Sequence, residues 1–354
     1  MQNKWLLLSL ASFLFLTGCV QQKVVDEVNM IMAGGIDYTK ENKMEVTALF
    51  ADYLPDRKIK NTTLTVSMRR DSEIMDYLDR ESSRPVLMGD MDALLLGRKT
   101  VEGGIYPIVD TLQREADIPS RLQIAIVDGT AKEVLKGKYS SEGVGKYIYE
   151  LIEHNSENRD VPRTNLHLFA SDFYQKGNDA FLPIIKKVKG QNLQIAGVGV
   201  FKGDKLAHEI PIQKLYYFKM LVDNHTRGST DVQMKKDSAV MNNIRTKSRI
   251  KADYDKLTVH IHFDVVGVVR RYTGERANEK VLNEIKKTLA KQIEEECLSL
   301  LKEFQDENVD PVSIERKMRQ QNRNFDKKRW KDQYKEVKFS ISTNIKITES
   351  GTVE

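Results

Sequence analysis

Two histidines and an aspartate alternate along one stretch of the chain, as His260, His262 and Asp264. Residues two apart on a β-strand point to the same face, and imidazoles so placed occur in zinc sites. Such a site needs further ligands from elsewhere, and the sequence has neither a cysteine cluster nor a histidine pair at helical spacing. We therefore interpret these residues as the solvent-facing side of an antiparallel strand, and predict no metal site and no cofactor.

Other residues that could take part in catalysis fit structural roles better. The acidic run Glu294-Glu295-Glu296 is typical of a solvated helix face. The pairs Gly34-Gly35 and Gly103-Gly104 lack the spacing of a phosphate-binding loop, and the sequence has neither a G-x-S-x-G nor an H-E-x-x-H motif. We predict that the chain has no catalytic residues and is not an enzyme.

The N-terminus carries a more specific pattern, which ends at Cys19. Leu16-Thr17-Gly18-Cys19 places an aliphatic residue and two small residues before a cysteine, as in a bacterial lipobox. Lys4 precedes an apolar stretch, residues 5–16, of the length of a signal peptide's hydrophobic region and too short to span a bilayer. We predict that residues 1–18 are a lipoprotein signal peptide and that the Cys19 thiol is the lipidation site.

Lipidation would attach the mature chain stably to the outer face of a membrane, because two acyl chains on one residue suffice for anchoring. No later segment approaches the roughly 20 apolar residues of a spanning helix, so we expect the rest of the chain to be soluble. Cys297 is the second of two cysteines and would then have no disulfide partner. It fits a small apolar residue on a helix face; the alternative, a reactive thiol, lacks a nearby histidine.

Composition indicates a folded chain with a mild positive charge. The chain has 354 residues, of which 40% are hydrophobic and 30% charged, and a net charge of +5, or +4 without Lys4. These values are typical of a globular protein with two or three domains. Because the positive excess is small for an exported chain, we expect no nucleic-acid partner.

One segment, from Glu315 to Lys338, concentrates positive charge and is called the basic segment here. It contains ten lysines and arginines against four acidic residues, with Phe325, Trp330 and Tyr334 between them. One interpretation is a surface for anionic lipid or an acidic partner. The other, which we favour, is a solvated helix whose aromatic side chains pack on the last sheet.

The pattern of apolar residues predicts an α+β fold. Alternating residues predict strands at 28–35, 44–53 and 64–68, and helical spacing follows at 71–80 and 105–112. Apolar runs at 94–96 and 122–127 are typical of buried strands, so the N-terminal region should form a mixed α/β layer. We predict an N-terminal α/β region at 19–190, which could divide into two subdomains.

A C-terminal α+β domain at 191–354 is the clearest expectation. Strict alternation at 257–265 and 337–347 predicts strands with one buried face, hence an antiparallel sheet. Between them, apolar residues recur every three or four positions from Leu282 to Phe304, which predicts a long helix packed on that sheet. Asp310-Pro311 is expected to start another helix.

Several motifs, in their order along the chain, resemble a family of spore germinant receptor C subunits, the lipoproteins called Ger(x)C. After the lipobox come Asp26-Glu27 and Gly35-Ile36-Asp37. Further matching segments are 83–89, 94–97, 102–105 and 127–135, followed by the family's G-x-A-V-F-K-x-D-K-L pattern at 197–206, then Asp310, Trp330 and the last strand. The chain departs from the family at Asp90-Met91-Asp92, where a basic residue or histidine is common, and at Val198-Gly199.

This resemblance implies a role that the residues alone do not supply. Such subunits sit on the outer face of the spore inner membrane, where they work with two integral-membrane subunits, of A and B type, in triggering germination by nutrients. Members of the family are not known to be enzymes, and the resemblance assigns no ligand-binding residue to this sequence. From the residues alone, a solute-binding lipoprotein of a transporter stays an alternative, although its two parallel α/β lobes fit the alternating terminal strand poorly. A surface hydrolase is a weaker alternative, because no triad is recognisable.

Overall fold

The computed structural model describes residues 28–40, 43–53, 59–70, 73–115, 117–189, 192–223 and 227–350. The signal peptide, the lipobox and Cys19 lie outside the described residues. The chain folds into a large mixed sheet with helices on both faces, followed by a four-stranded sheet with a long helix. The predicted α+β fold class, with a long helix on the C-terminal sheet, is confirmed.

The first sheet has nine strands in the order β3-β2-β1-β5-β6-β7-β8-β9, with the short β4 beside β1. β1, β5, β6 and β7 run parallel at its centre, and antiparallel pairs flank them on both sides. The strands are β1 Asn29–Tyr38, β2 Lys43–Tyr53, β3 Ile59–Arg69, β4 Val86–Leu87, β5 Ala93–Gly97, β6 Gln123–Val127, β7 Phe181–Lys187, β8 Leu193–Lys202 and β9 Lys205–Pro211.

Seven helices belong to this part of the described chain. They are α1 Ile74–Glu81, α2 Arg98–Gly103, α3 Tyr106–Arg114, α4 Ala131–Leu135, α5 Val144–Asn158, α6 Leu166–Tyr174 and α7 Leu215–Val222, the last preceded by a 3-10 turn at Ile212–Lys214. The central strands are apolar on both sides, because helices cover both faces of the sheet. In β5, Leu94 and Leu96 join the core beneath α3, whereas Ala93 and Leu95 join the core that contains α5.

The second sheet has the order β10-β11-β12-β13, with β10 Gly228–Gln233, β11 Ser238–Asp253, β12 Thr258–Tyr272 and β13 Lys338–Ser350. Its helices are α8 Glu279–Asp306, α9 Ile314–Gln321 and α10 Lys327–Gln333, with a 3-10 turn at Tyr334–Glu336. Ile285, Leu289, Ile293 and Cys297 of α8 are fully buried in a core shared with the α5 side of the first sheet. The two sheets therefore share one hydrophobic core, and the core beneath α3 is separate from it.

The expectation of a wholly antiparallel C-terminal sheet was wrong for one pair of strands, since β12 and β13 run parallel. The reason lies in the connection between them: α8 carries the chain back along the sheet before β13 begins. A strand that follows such a helical crossover runs parallel to the strand before it. β10, β11 and β12 pair antiparallel as predicted.

The proposed division at 190/191 lies, in the sequence, between β7 and β8, which are hydrogen-bonded neighbours in the first sheet, and these two residues are outside the described ranges. The division of the chain into two domains stays a prediction.

Candidate functional site

Three of the motifs meet at the carboxyl ends of the central parallel strands. The Asp37 carboxylate, at the end of β1, accepts hydrogen bonds from the backbone N–H groups of Ala131 (2.8 Å) and Lys132 (2.9 Å). These are the first residues of α4, so Asp37 caps a helix that is distant in sequence. Burial raises the pKa of Asp37, while the two N–H groups favour its charged form. The carboxylate is fully used in holding α4 against β1.

Gly97, at the end of β5, gives the Asp37 carboxylate its space. A Cβ atom on Gly97 would lie 2.0 Å from Asp37 Oδ1, which is impossible without displacing the carboxylate. The Gly-Ile-Asp motif and the apolar motif ending at Gly97 are thus two halves of one contact. Their residue types follow from this packing and require no bound ligand.

A charged group lies next to this contact. The Arg98 guanidinium bonds to both carboxylate oxygens of Glu209, on β9, and to Asp128 Oδ1 at 3.1 Å. These bonds to acidic groups hold the Arg98 pKa above its ordinary value although burial acts in the opposite direction. Asp128 follows β6, so the ion pairs tie β9 to the centre of the same edge.

The motif at 102–105 and the pattern at 197–206 also touch each other. The backbone N–H of Ile105 donates to the Asp204 carbonyl at 2.8 Å, and a Cβ on Gly104 would lie 2.6 Å from Asp204 Oδ2. Lys202 forms an ion pair with Asp179 at 3.0 Å. Through this hydrogen bond, close approach and ion pair, these residues hold separate segments of the chain together.

The two histidines lie where the sequence predicts, on the outer face of the second sheet. His260 Nδ1 is 2.9 Å from Ser340 Oγ, and His262 Nδ1 is 2.7 Å from Ser342 Oγ, both on β13. The remaining ring nitrogens lie 3.2 Å from Ser342 Oγ for His260 and 3.4 Å from Asp264 Oδ1 for His262. Every ring nitrogen thus has a polar neighbour. Within the described ranges, no group of three histidine, cysteine or acidic side chains is placed to hold a metal ion.

The basic segment is fixed to the core by its aromatic residues. Trp330 and Tyr334 are 3% and 4% exposed, and the Phe325 ring packs against Trp330 at a tilt of 53°, with ring centroids 5.6 Å apart. The Gln321 and Asn322 side chains hydrogen-bond to the backbone of β11 at Ile250 and Ala252. The aromatics therefore pack as we expected, and most of the cations between them are exposed.

Asp310 does not start a helix at the predicted position, because α9 begins at Ile314. Its carboxylate still caps that helix, accepting the N–H groups of Ile314 and Glu315 at 2.8 Å each. The Asp310 N–H donates to the Asp179 side chain at 2.7 Å, which fixes Asp310 before the turn. Ser313 then takes a left-handed backbone (φ 61°) so that the helix begins three residues later than expected.

Cys297 is fully buried on α8, and burial raises the pKa of its thiol. A thiol so placed is a poor nucleophile. Cys297 therefore serves as a core residue, as the helical pattern indicated.

Comparison with protein families accounts for nearly the whole described chain. Residues 21–187 match the spore germination protein N-terminal domain, and residues 196–351 match the "Spore germination B3/ GerAC like, C-terminal" family. The chain belongs to the GerAC/GerBC-like spore germination protein family. This family, Ger(x)C, is the one that the motifs resembled, and it is not known to be enzymatic.

Relatives in the Ger(x)C family include the spore germination protein GerQC of Bacillus cereus, 27% identical over 99% of this chain and the whole of that protein. The putative spore germination protein YfkR of Bacillus subtilis (strain 168) is 20% identical over 79% of this chain and 77% of its own. The crystal structure of the GerBC protein superposes with a TM-score of 0.60 at 16% identity, covering 89% of this chain and 96% of that one. This last similarity shows a shared fold.

Sequence reasoning did not reveal that the Ger(x)C motifs contact one another. The helix-capping role of Asp37 was also missed, although an acidic residue paired with a distant glycine could have suggested a tight contact there. Asp310 was expected to cap a helix, and only the position at which that helix begins was wrong. Among the residues that the structure describes, no helix is long and apolar enough to cross a membrane.

Proposed function

We propose that this chain is the lipid-anchored C subunit of a nutrient germinant receptor. Cys19 would hold it at the outer face of the spore inner membrane, where it assembles with two integral-membrane subunits and triggers germination without catalysing a reaction. The observation that carries this proposal is the ordered match of both halves of the chain, residues 21–187 and 196–351, to spore germination families. The lipobox at residues 16–19 supplies the attachment.

The fold supports this proposal over a solute-binding lipoprotein. A solute binder would have two parallel α/β lobes around a cleft, whereas here a single mixed sheet is followed by a four-stranded sheet with a helix. The motif residues support the proposal over an enzyme, since Asp37, Asp128 and Asp310 are each engaged in contacts within the fold.

Deletion of the gene tests the proposed function. Spores without the protein should fail to respond to the nutrient of this receptor, measured as loss of optical density. They should still germinate with calcium dipicolinate, because that trigger acts downstream of the receptor. A deletion strain with a full nutrient response, in a background without paralogous receptors, would refute the proposal.

Replacing both His260 and His262 by Gln should leave the nutrient response near normal, because Gln can keep a hydrogen bond to the neighbouring serines. Loss of response at unchanged protein level would instead indicate a ligand site on that face of the sheet.

A further inference from the structure

A polar cavity lies where the two sheets meet. It has a volume of about 290 Å³ and is bounded by α6, the end of α7, β11 and the beginning of α9. This volume is at the lower end of the range for small-molecule sites, about 300–1,000 Å³, and junctions between domains are common places for such sites. It is large enough for a small metabolite. None of the Ger(x)C motifs described above accounts for it.

Charges of both signs line this cavity. The cations are Arg163, before α6, and Arg316 and Lys317 on α9; the acids are Asp172 on α6 and Asp223 at the end of α7. They come from segments distant in sequence that the fold brings together. A cavity that serves only as a packing gap would have no need of five ionisable side chains.

Part of this charge is not neutralised within the protein. Arg316 donates a hydrogen bond to the Gln175 side chain at 2.9 Å, and Asp223 accepts one from the Arg163 backbone N–H at 3.3 Å. The Arg163 guanidinium and the Lys317 ammonium group form no hydrogen bond or close ion pair with any described residue. Burial raises the pKa of Asp223 to about 6, although Lys219 and Arg163 favour its charged form. Burial also raises the pKa of Asp172, which accepts a hydrogen bond from the Asn178 side chain and lies near Arg316.

The rest of the lining gives the cavity an apolar side. Leu168 lines it and is 43% exposed, whereas Leu166, Phe169 and Ala170 on the same helix are buried. Phe181 and Ile250 contribute further apolar surface, and Ser248 and Ser313 add hydroxyl groups. This combination suits a ligand with a charged end and a small aliphatic end.

We propose that this cavity binds a small aliphatic α-amino acid, with its carboxylate at Arg163 and Lys317 and its ammonium group at Asp172 and Asp223. A simple anion would bring negative charge beside two carboxylates, and a simple cation would lie beside three basic groups. A zwitterion satisfies both sets at once. The proposal extends the function proposed above, because it gives this subunit a ligand of its own.

Calorimetry on the mature chain carrying Cys19→Ser tests the proposal, with L-alanine, L-valine and L-leucine as probes up to about 10 mM. At least one of them should bind saturably at one site. For L-valine, the matched compounds are isovalerate, which lacks the ammonium group, and L-valinamide, which lacks the carboxylate. Each should bind at least tenfold more weakly than the amino acid.

Variants locate the site. Lys317→Gln and Arg163→Gln should weaken binding at least tenfold, whereas Arg319→Gln should not. Arg319 lies on the same helix, is exposed and does not line the cavity, which makes it the matched control. Circular dichroism should confirm that each variant is folded; Lys317→Gln keeps the test valid if Arg163→Gln unfolds.

Three outcomes would overturn this inference. They are no binding of any of the three amino acids, equal binding of isovalerate or L-valinamide, and unchanged binding by the Lys317→Gln variant. None of them would affect the proposed receptor function, because a subunit that only assembles with its partners would still be required for the nutrient response in spores.

Discussion

Asp37 and Gly97 show how a residue pair far apart in sequence can be fixed by one contact. The carboxylate needs the space that only glycine leaves, and α4 needs the carboxylate because its first N–H groups have no partner within the helix. A similar arrangement recurs at Asp310, which caps α9. Acidic residues in this protein therefore support the fold at points where sequence motifs alone would suggest chemistry.

The Gly97→Ala variant should be destabilised by about 2–4 kcal/mol, because the added methyl group must displace the Asp37 carboxylate and remove the helix cap. Thermal unfolding followed by circular dichroism measures this change. Gly89→Ala is the matched control, since a Cβ there meets no atom within 4 Å. It should lie within about 0.5 kcal/mol of the parent. Equal stability of the two variants would refute the role assigned to Gly97.

The Asp310 carboxyl should make stability depend on pH. Burial raises its pKa to about 7, against an ordinary value near 4 in the unfolded chain. Between these values the folded protein holds a proton that the unfolded chain has lost, so the stability due to Asp310 falls as pH rises from about 4 to about 7.

Thermal scans of the parent and the Asp310→Asn variant test this. The change in melting temperature between pH 5 and pH 8 should be smaller in the variant by at least about 2 °C. The amide has a single acceptor oxygen, so one N–H at the start of α9 also loses its partner, which costs about 1 kcal/mol at every pH. Parallel melting curves for the two proteins across this range would contradict the raised pKa.

Helices and strands were most clearly predictable from the sequence where one of their faces is exposed to solvent. α8, β12 and β13 showed clear periods because polar residues alternate with the buried ones. α7, Leu215–Val222, was missed, and the structure gives the reason: seven of its eight residues are buried. A helix buried on all sides has no polar face and hence no amphipathic pattern.

The direction of a strand is a second property that the pattern of residues does not contain. Alternation in β13 predicts which side chains face the core, but a parallel and an antiparallel neighbour produce the same alternation. Only the length of the connection, which contains α8, could have indicated the parallel pairing with β12.

Ile293 tests the packing of α8 on the second sheet. It is fully buried mid-helix, in the same core as Phe339 and Ile341 of β13. Ile293→Asp should destabilise the protein by several kcal/mol, because it buries an unpaired charge. Leu298→Asp is the matched control on the same helix, since Leu298 is 36% exposed, and it should cost less than about 1 kcal/mol. Chemical denaturation measures both; a parent-like Ile293→Asp variant would mean that α8 does not pack as described.

At the level of the whole molecule, the lipobox could be read from the sequence because it is a local motif, whereas the cavity between the sheets could not. Its charged residues, Arg163, Asp172, Asp223, Arg316 and Lys317, are spread over 155 residues, nearly half of the mature chain. No spacing relates them, and only the packing of α6, α7 and α9 brings them together. The Ger(x)C resemblance did not supply them either, because the family carries no assigned ligand residues.

Two features of the chain can contribute to attaching the protein to the membrane, and an experiment can separate them. Cys19 is predicted to carry the lipid, and the basic segment presents exposed cations, each worth about 1 kcal/mol near an anionic lipid surface. Cys19→Ala, expressed without the partner subunits, should move the protein from the membrane fraction to the soluble fraction, detected by immunoblot after a high-salt wash. Salt screens the contribution of the cations but leaves acyl chains in place.

Retention of the Cys19→Ala variant at low salt, with release at high salt, would mean that the basic segment also binds the membrane. Replacing Lys327, Lys328 and Lys331 by Glu should then abolish that retention. Retention at high salt would contradict lipid on Cys19 as the main anchor.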